Sequence, residues 1–139
     1  MEEQKFKADV IIDANGAVLG RVASLAAKQA LFGKTVAIVN CEKAVITGRV
    51  RFTVEEYKHK RQRGGSSLNG PHFPKSADMI MKRTVRGMLN YTFARGHDAF
   101  KRIRCFNGIP KEFESAKKIS PIRELKTKSL PLERISREL

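Results

Sequence analysis

The stretch "VIIDANGAVLGRVASLAAKQALFGKTVAIVNC", residues 10–41, changes its period twice, and those changes decide the fold. Residues 10–12 are a short apolar run rich in β-branched side chains, closed by Asp13, Ala14, Asn15 and Gly16, the chemistry of a strand running into a turn. Over residues 18–32 the polar positions Arg21, Ser24 and Lys28 recur at spacings of three and four. They share one narrow stripe of a helix whose remaining surface is apolar. Gly20, Ala23, Ala26, Ala27 and Ala30 are small enough for close packing on a sheet, and Gly33 stands where a C-terminal cap belongs. Residues 35–41 are almost continuously apolar, as in a strand covered on both faces. Strand, helix, strand predicts a βαβ unit with a right-handed crossover.

Working outward, "KAVITG" (43–48) reads as another short strand ending at Gly48. "TVEEYKHKRQR" (53–63) reads as a helix with Thr53 as N-cap and Glu55 and Glu56 in its first turn, ending in Lys58, Lys60, Arg61 and Arg63. Residues 64–76, "GGSSLNGPHFPKS", are too broken by Gly, Ser, Asn and Pro to be a regular element. A helix follows from an N-cap at Ser76, with Asp78 placed against its dipole. After it comes a short helix leading into a strand near residues 103–106, closed by Asn107, Gly108 and Pro110. The expectation is an α/β fold with four short strands. Residues 1–110 are expected to form one α/β domain that includes a basic loop at 58–76. Residues 111–139 are a charged extension of the same domain, with a short amphipathic helix near its end.

Charge narrows the partner. Lys and Arg number 28 against 14 Asp and Glu, a net charge of +14 and a pI near 10.2. Self-repulsion on that scale opposes compaction and points to a polyanion that relieves it. No apolar run approaches the ~18 residues that span a bilayer. The first residues, "MEEQKFKADV", are charged where a signal peptide is apolar, so no membrane partner and a soluble, cytoplasmic protein are expected. Cys41 and Cys105 are far apart in apolar segments, without the paired spacing of a zinc site, and read as small core residues.

In "MIMKRTVRGMLN" (79–90), Met81, Val85 and Met88 share a side with Ala77 and Leu89 near it, while Lys82, Arg83 and Arg86 occupy the opposite arc. Gly87 costs such a helix ~1 kcal/mol relative to alanine, a cost explained by close approach of its backbone to a helix, a sheet or a phosphate. Upstream, Arg63, Gly64, Gly65, Ser66, Ser67, Asn69, Gly70, His72 and Lys75 combine flexible backbone with donors suited to a phosphate chain. A run of charge is usually only a solvated face. Between Lys58 and Arg104, however, only Asp78 and Asp98 are acidic, so the positive patch is uncompensated. The expected contacts to nucleic acid are Lys58, His59, Lys60, Arg61, Arg63, Gly64, Gly65, Ser66, His72, Lys75, Lys82, Arg83, Arg86, Gly87 and Arg95. No zinc finger or basic zipper is visible and Pro71 and Pro74 interrupt any helix-turn-helix, so an irregular basic loop favours folded RNA over DNA. Phe73, Tyr91 and Phe93 read first as core residues and second as stacking platforms for bases.

Catalysis finds little support. Asp13 ends the first strand, where open α/β sheets hold ligands, yet Asn15 and Gly16 beside it favour a turn role. "GAVLG" is not a dinucleotide loop and no G-x-x-x-x-G-K-[ST] occurs. His59, His72 and His97 lack a carboxylate at metal-ligand spacing, and Ser66 and Ser67 lack a nucleophile elbow. No cofactor, metal or small-molecule substrate is expected.

"DANGAVLGRVAS", "VNCEKAVITG", "GPHFPKSADMIMKRTVRGML" and "RIRCFNGIP", in that order along residues 10–110, resemble the ribosomal protein L13 family of the large subunit, in its archaeal or eukaryotic-like form. The resemblance implies a three-layer α/β/α fold around a small, mainly parallel sheet. It further implies a non-enzymatic constituent of cytoplasmic ribosomes that binds large-subunit ribosomal RNA beside other large-subunit ribosomal proteins and supports assembly. Arg83, Arg86 and Gly87 match the family's R-x-x-R-G-M helix, and residues 64–71 match its RNA-facing loop. The family often has proline after R-G-M-L. Here Asn90 stands there, so the helix is expected to run on by a turn. An RNA-processing or nucleotide-using enzyme on the same scaffold, and an extra-ribosomal regulator binding messenger RNA, are the alternatives.

Overall fold

The computed structural model describes residues 6–63 and 72–139. Strand β1 (Val10–Asp13), helix α1 (Leu19–Leu31) and strand β2 (Val36–Val39) form the βαβ unit, with β1 and β2 paired in parallel from Val10↔Val36 to Asp13↔Val39. Gly33 follows the helix with φ +89°, a left-handed cap that a side chain would strain. All four residues of β2 are buried, as its continuous apolar run requires.

The expected four-stranded sheet is divided. Strands β1, β2 and β4 (Ile103–Cys105) make a parallel sheet in the order β1-β2-β4, while β3 (Val45–Thr47) pairs antiparallel with β5 (Ser129–Pro131). Asn40, at φ 56°, and the 3-10 turn Cys41–Lys43 redirect the chain after β2, so β3 does not enter the parallel ladder. The position beside β1 is touched by the C-terminal extension instead: Asp13 N–H donates to the Ile119 carbonyl (2.8 Å) and Ile119 N–H to the Ile11 carbonyl (2.9 Å).

Helix α2 spans Val50–Gln62, α3 spans Ala77–Met88, α4 spans Ala94–Lys101 and α5 spans Leu132–Glu138. Two helix boundaries correct the sequence reading. Gly48, at φ +132°, ends β3 and lets α2 start at Val50, so Thr53 is a buried helical residue rather than the N-cap and Glu55 and Glu56 fall beyond the first turn. Helix α3 stops at Met88 instead of running past Asn90, because Leu89 takes an extended conformation and is buried. The Asn90 carbonyl then lies where a Cβ on Gly96 would be, 2.1 Å away, so glycine at that position is what lets α4 sit against the turn.

One face of the parallel sheet packs on α1, α3 and α4 in a cluster that includes Ile12, Val22, Ala26, Val36, Ile38, Met81, Val85, Ala99 and Ile103. Leu130, Leu132 and Ile135 of the extension belong to the same cluster. Burial of each such large side chain is worth about 1.5–3 kcal/mol. The opposite face, Ile11, Ala37 and Val39, is covered by Phe113 with Phe6, Phe106 and Ala116. No residue of α1–α5 belongs to that second cluster, so the third layer of the α/β/α arrangement is a 3-10 turn and aromatic side chains, with Phe106 and Phe113 5.7 Å apart.

Cys41 is buried within this core with Cys105 on the adjacent strand beside it. The neighbouring Cys105 thiol and burial both push the Cys41 thiol above its ordinary range, so it behaves as the small hydrophobe its sequence context predicts.

Candidate nucleic-acid interface

Helix α3 is positioned by Ala77, Ile80, Met81, Val85 and the following Leu89, all buried. Met88, expected on that face, is 46% exposed, and Ile80 takes the inward position. The turns advance so that Lys82, Arg83 and Arg86 emerge on the other side, each half-buried rather than free. The reason for their partial burial is aromatic. Lys82 Nζ lies 5.2 Å from the Phe100 ring centre, Arg83 Cζ 5.1 Å from that of Phe73, and Arg86 Cζ 5.1 Å from that of Tyr91. A cation held over a ring loses conformational freedom without losing charge, so these three are oriented before any partner arrives.

Phe73 ties α2 to α3. Its ring meets Tyr57 edge-on at 5.4 Å, its carbonyl accepts a hydrogen bond from Arg61 Nη1 at 3.3 Å, and Arg83 Nη1 donates to the neighbouring His72 carbonyl at 3.2 Å. Burial and, secondarily, Glu56 raise the Tyr57 hydroxyl pKa, keeping that ring neutral beneath Lys60, whose Nζ lies 5.0 Å from its centre. Two hollows result. One, of about 220 Å³, lies among Lys60, Arg63, Phe73 and Arg83. The other, of about 330 Å³, is lined by the apolar Pro74, Met79 and Phe100 together with His72, Lys82, Arg83 and Arg86. Arg83 borders both.

Lys60, Arg61, Arg63, His72, Lys82, Arg83 and Arg86 are therefore brought together. Lys58, His59, Lys75 and Arg95 are exposed and take part in no side-chain hydrogen bond or ion pair among the described residues. Gly64, Gly65 and Ser66, with the rest of 64–71, lie outside the described residues. Gly87 is exposed, and a Cβ there would meet no atom of the described residues within 4 Å, so its expected close approach is not to any of them. Tyr91 and Phe93, read first as core, are 45% and 65% exposed. Their position in "NYTFARG", directly after a basic helix and beside a turn, was the available signal.

Acids do little to cancel this surface. Among the described residues Lys60 pairs with Glu56 at 3.6 Å, while no ion pair reaches Lys82, Arg83 or Arg86. In α5, Glu133 and Glu138 pair with that helix's own Arg137 and Arg134. Asp13, considered above for catalysis, has an oxygen committed to the turn: it accepts from Asn15 N–H at 3.0 Å and from Asn40 Nδ2 at 2.9 Å. No cluster of three or more metal-ligating side chains occurs among the described residues, and no helix there is long and apolar enough to cross a membrane.

Comparison with known proteins agrees with the motifs. The pattern of the family described as Ribosomal protein L13 matches residues 7–112. Large ribosomal subunit protein uL13 of Methanosarcina barkeri is 50% identical over 111 residues, covering 79% of this chain and 79% of that protein. Its counterpart in Methanococcoides burtonii is 50% identical, covering 79% of this chain and 78% of that protein, and the one in Haloarcula marismortui is 49% identical, covering 79% and 74%. These names denote a ribosomal constituent, not an enzyme. The match runs through β1, the βαβ unit and the aromatic-backed cations of α3, and the chain belongs to the ribosomal protein L13 family of the large ribosomal subunit.

Proposed function

We propose that this protein binds large-subunit ribosomal RNA through the flank formed by α2, residues 72–76 and α3, and that in doing so it supports assembly of the subunit alongside neighbouring ribosomal proteins. The observation that carries the reading is the convergence of Lys60, Arg61, Arg63 and Arg83 around Phe73 and of Lys82 and Arg86 beside Arg83 in the adjoining hollow, with Glu56 the single acid paired to any of them among the described residues. Cations oriented in this way and lacking acidic partners fit a sugar-phosphate chain, which asks for charge at fixed spacing. Gly87 fits the same reading: its open surface lets a phosphate approach the helix backbone where a methyl group would stand in the way. Lys58, His59, Lys75, Arg95 and the loop residues Gly64, Gly65 and Ser66 are proposed to extend the contact. Residues 111–139 are proposed to belong to the same domain, a reading supported by the place of Leu130, Leu132 and Ile135 in the main core.

Ultraviolet crosslinking of the protein to large-subunit ribosomal RNA, followed by identification of the joined peptides, tests this. Adducts on peptides covering residues 58–63 and 72–86 are expected. Adducts confined to α1 or α5 overturn it.

A further inference from the structure

We infer that the hollow between residues 72–79, α3 and α4 takes one unstacked RNA base, so that the flank reads an extruded nucleotide in addition to the phosphate chain. This deepens the RNA-binding reading above and rests on it.

The lining is what a lone phosphate contact would not need. Pro74, Met79 and the Phe100 ring supply apolar surface, and Met79 is left 48% exposed. Around them stand Lys82, Arg83 and Arg86, with no acidic residue in the lining among the described residues. An unpaired nucleotide has matching parts, a flat apolar face and an anionic phosphate one sugar away. A duplex buries its base faces and offers only phosphates and groove edges, so the apolar wall would go unused against it. The volume, about 330 Å³, lies near the lower bound of ligand pockets, room for a base and its sugar rather than for a length of helix.

The side chains also divide the work. Arg83 and Arg86 rest on Phe73 and Tyr91, rings that do not line this hollow, so they stay in place when it fills. Lys82 alone sits over a ring of the hollow itself, Phe100. An entering base takes the place of its ammonium over that ring, and the flexible stem carries the charge onto the adjoining phosphate.

The test uses the RNA fragment that the full protein protects from nuclease, with methyl-labelled methionine as the reporter. Ring current from a stacked base moves the Met79 methyl resonance upfield on binding, and Met88, on the same helix but outside the hollow, serves as the control. Met79→Ala and Phe100→Leu each weaken binding by roughly fivefold or more, without changing its dependence on salt. Two substitutions are used because Phe100 also packs against the core. If the Met79 resonance moves no more than that of Met88 and both variants bind like the parent, while charge reversal of Arg83 and Arg86 still weakens binding on the order of a hundredfold, the base pocket is refuted and the RNA-binding reading stands. If charge reversal is silent as well, both fall.

Discussion

Helices α1 and α3 pack against each other and are nearly equal in length, yet they spend their polar residues differently. In α1 the exposed Arg21, Ser24 and Lys28 form a stripe with no side-chain hydrogen bond or ion pair among the described residues, over a buried side of Leu19, Val22 and four alanines. In α3 each of the three cations opposite the core lies over an aromatic ring contributed by a different part of the chain. The first arrangement keeps a core helix soluble. The second fixes positive charge in space, as the proposed contact with RNA phosphates requires.

The largest expected effect tests the anchoring role of α1. Ala26→Asp places an unpaired carboxylate in the fully buried side and should cost more than about 3 kcal/mol, lowering the melting temperature by roughly ten degrees or more. Ser24→Asp on the exposed stripe should leave the transition within about 0.5 kcal/mol of the parent. Equal tolerance at the two positions would break the contrast.

Next in size is the binding difference. Arg83→Glu with Arg86→Glu should weaken affinity for large-subunit ribosomal RNA on the order of a hundredfold. Arg21→Glu with Lys28→Glu, which changes the net charge equally, should weaken it no more than about threefold. Filter binding at fixed salt reads both.

Two glycines sharpen the comparison at a smaller scale. Gly96→Ala drives a methyl group into the Asn90 backbone and should lower stability by about 1–3 kcal/mol. Gly87→Ala meets no atom of the described residues and should raise helix stability by up to about 1 kcal/mol while weakening RNA binding. A gain in stability with unchanged affinity would separate Gly87 from the interface.

The smallest effect concerns pH. The fold holds the Cys41 thiol above its ordinary pKa of 9.0, so its stabilising contribution is complete below that value and is lost as pH rises past it and the unfolded thiol ionises. The alkaline fall in melting temperature should therefore be shallower for Cys41→Ala than for the parent, by at most a few degrees across that range.

How far each region could be read in advance follows from where its information lies. The β1-α1-β2 unit was legible because its signal is local: alternation of period, a capping glycine and a stripe of three polar residues. The fate of β3 was not, since its partner β5 lies more than eighty residues away and nothing near "KAVITG" marks it. Thr53 misled because a residue able to cap was already past the true start, which Gly48 sets. For the proposed interface, charge alone singled out Lys60, Arg61, Arg63, Lys82, Arg83 and Arg86, which the fold brings together. The ring beneath Lys82 and the apolar hollow depend on α4 folding back at Gly96 to bring Phe100 against α3, and no spacing in the sequence encodes that contact.

The salt dependence of binding to large-subunit ribosomal RNA tests the central claim most directly. With six or more phosphates engaged, affinity should fall roughly 10³-fold or more between 50 and 200 mM salt, with a shallower slope for the α3 double reversal and an unchanged slope for the α1 double reversal. A response that is flat with salt, or one that α1 reversal flattens as much as α3 reversal does, would contradict the account.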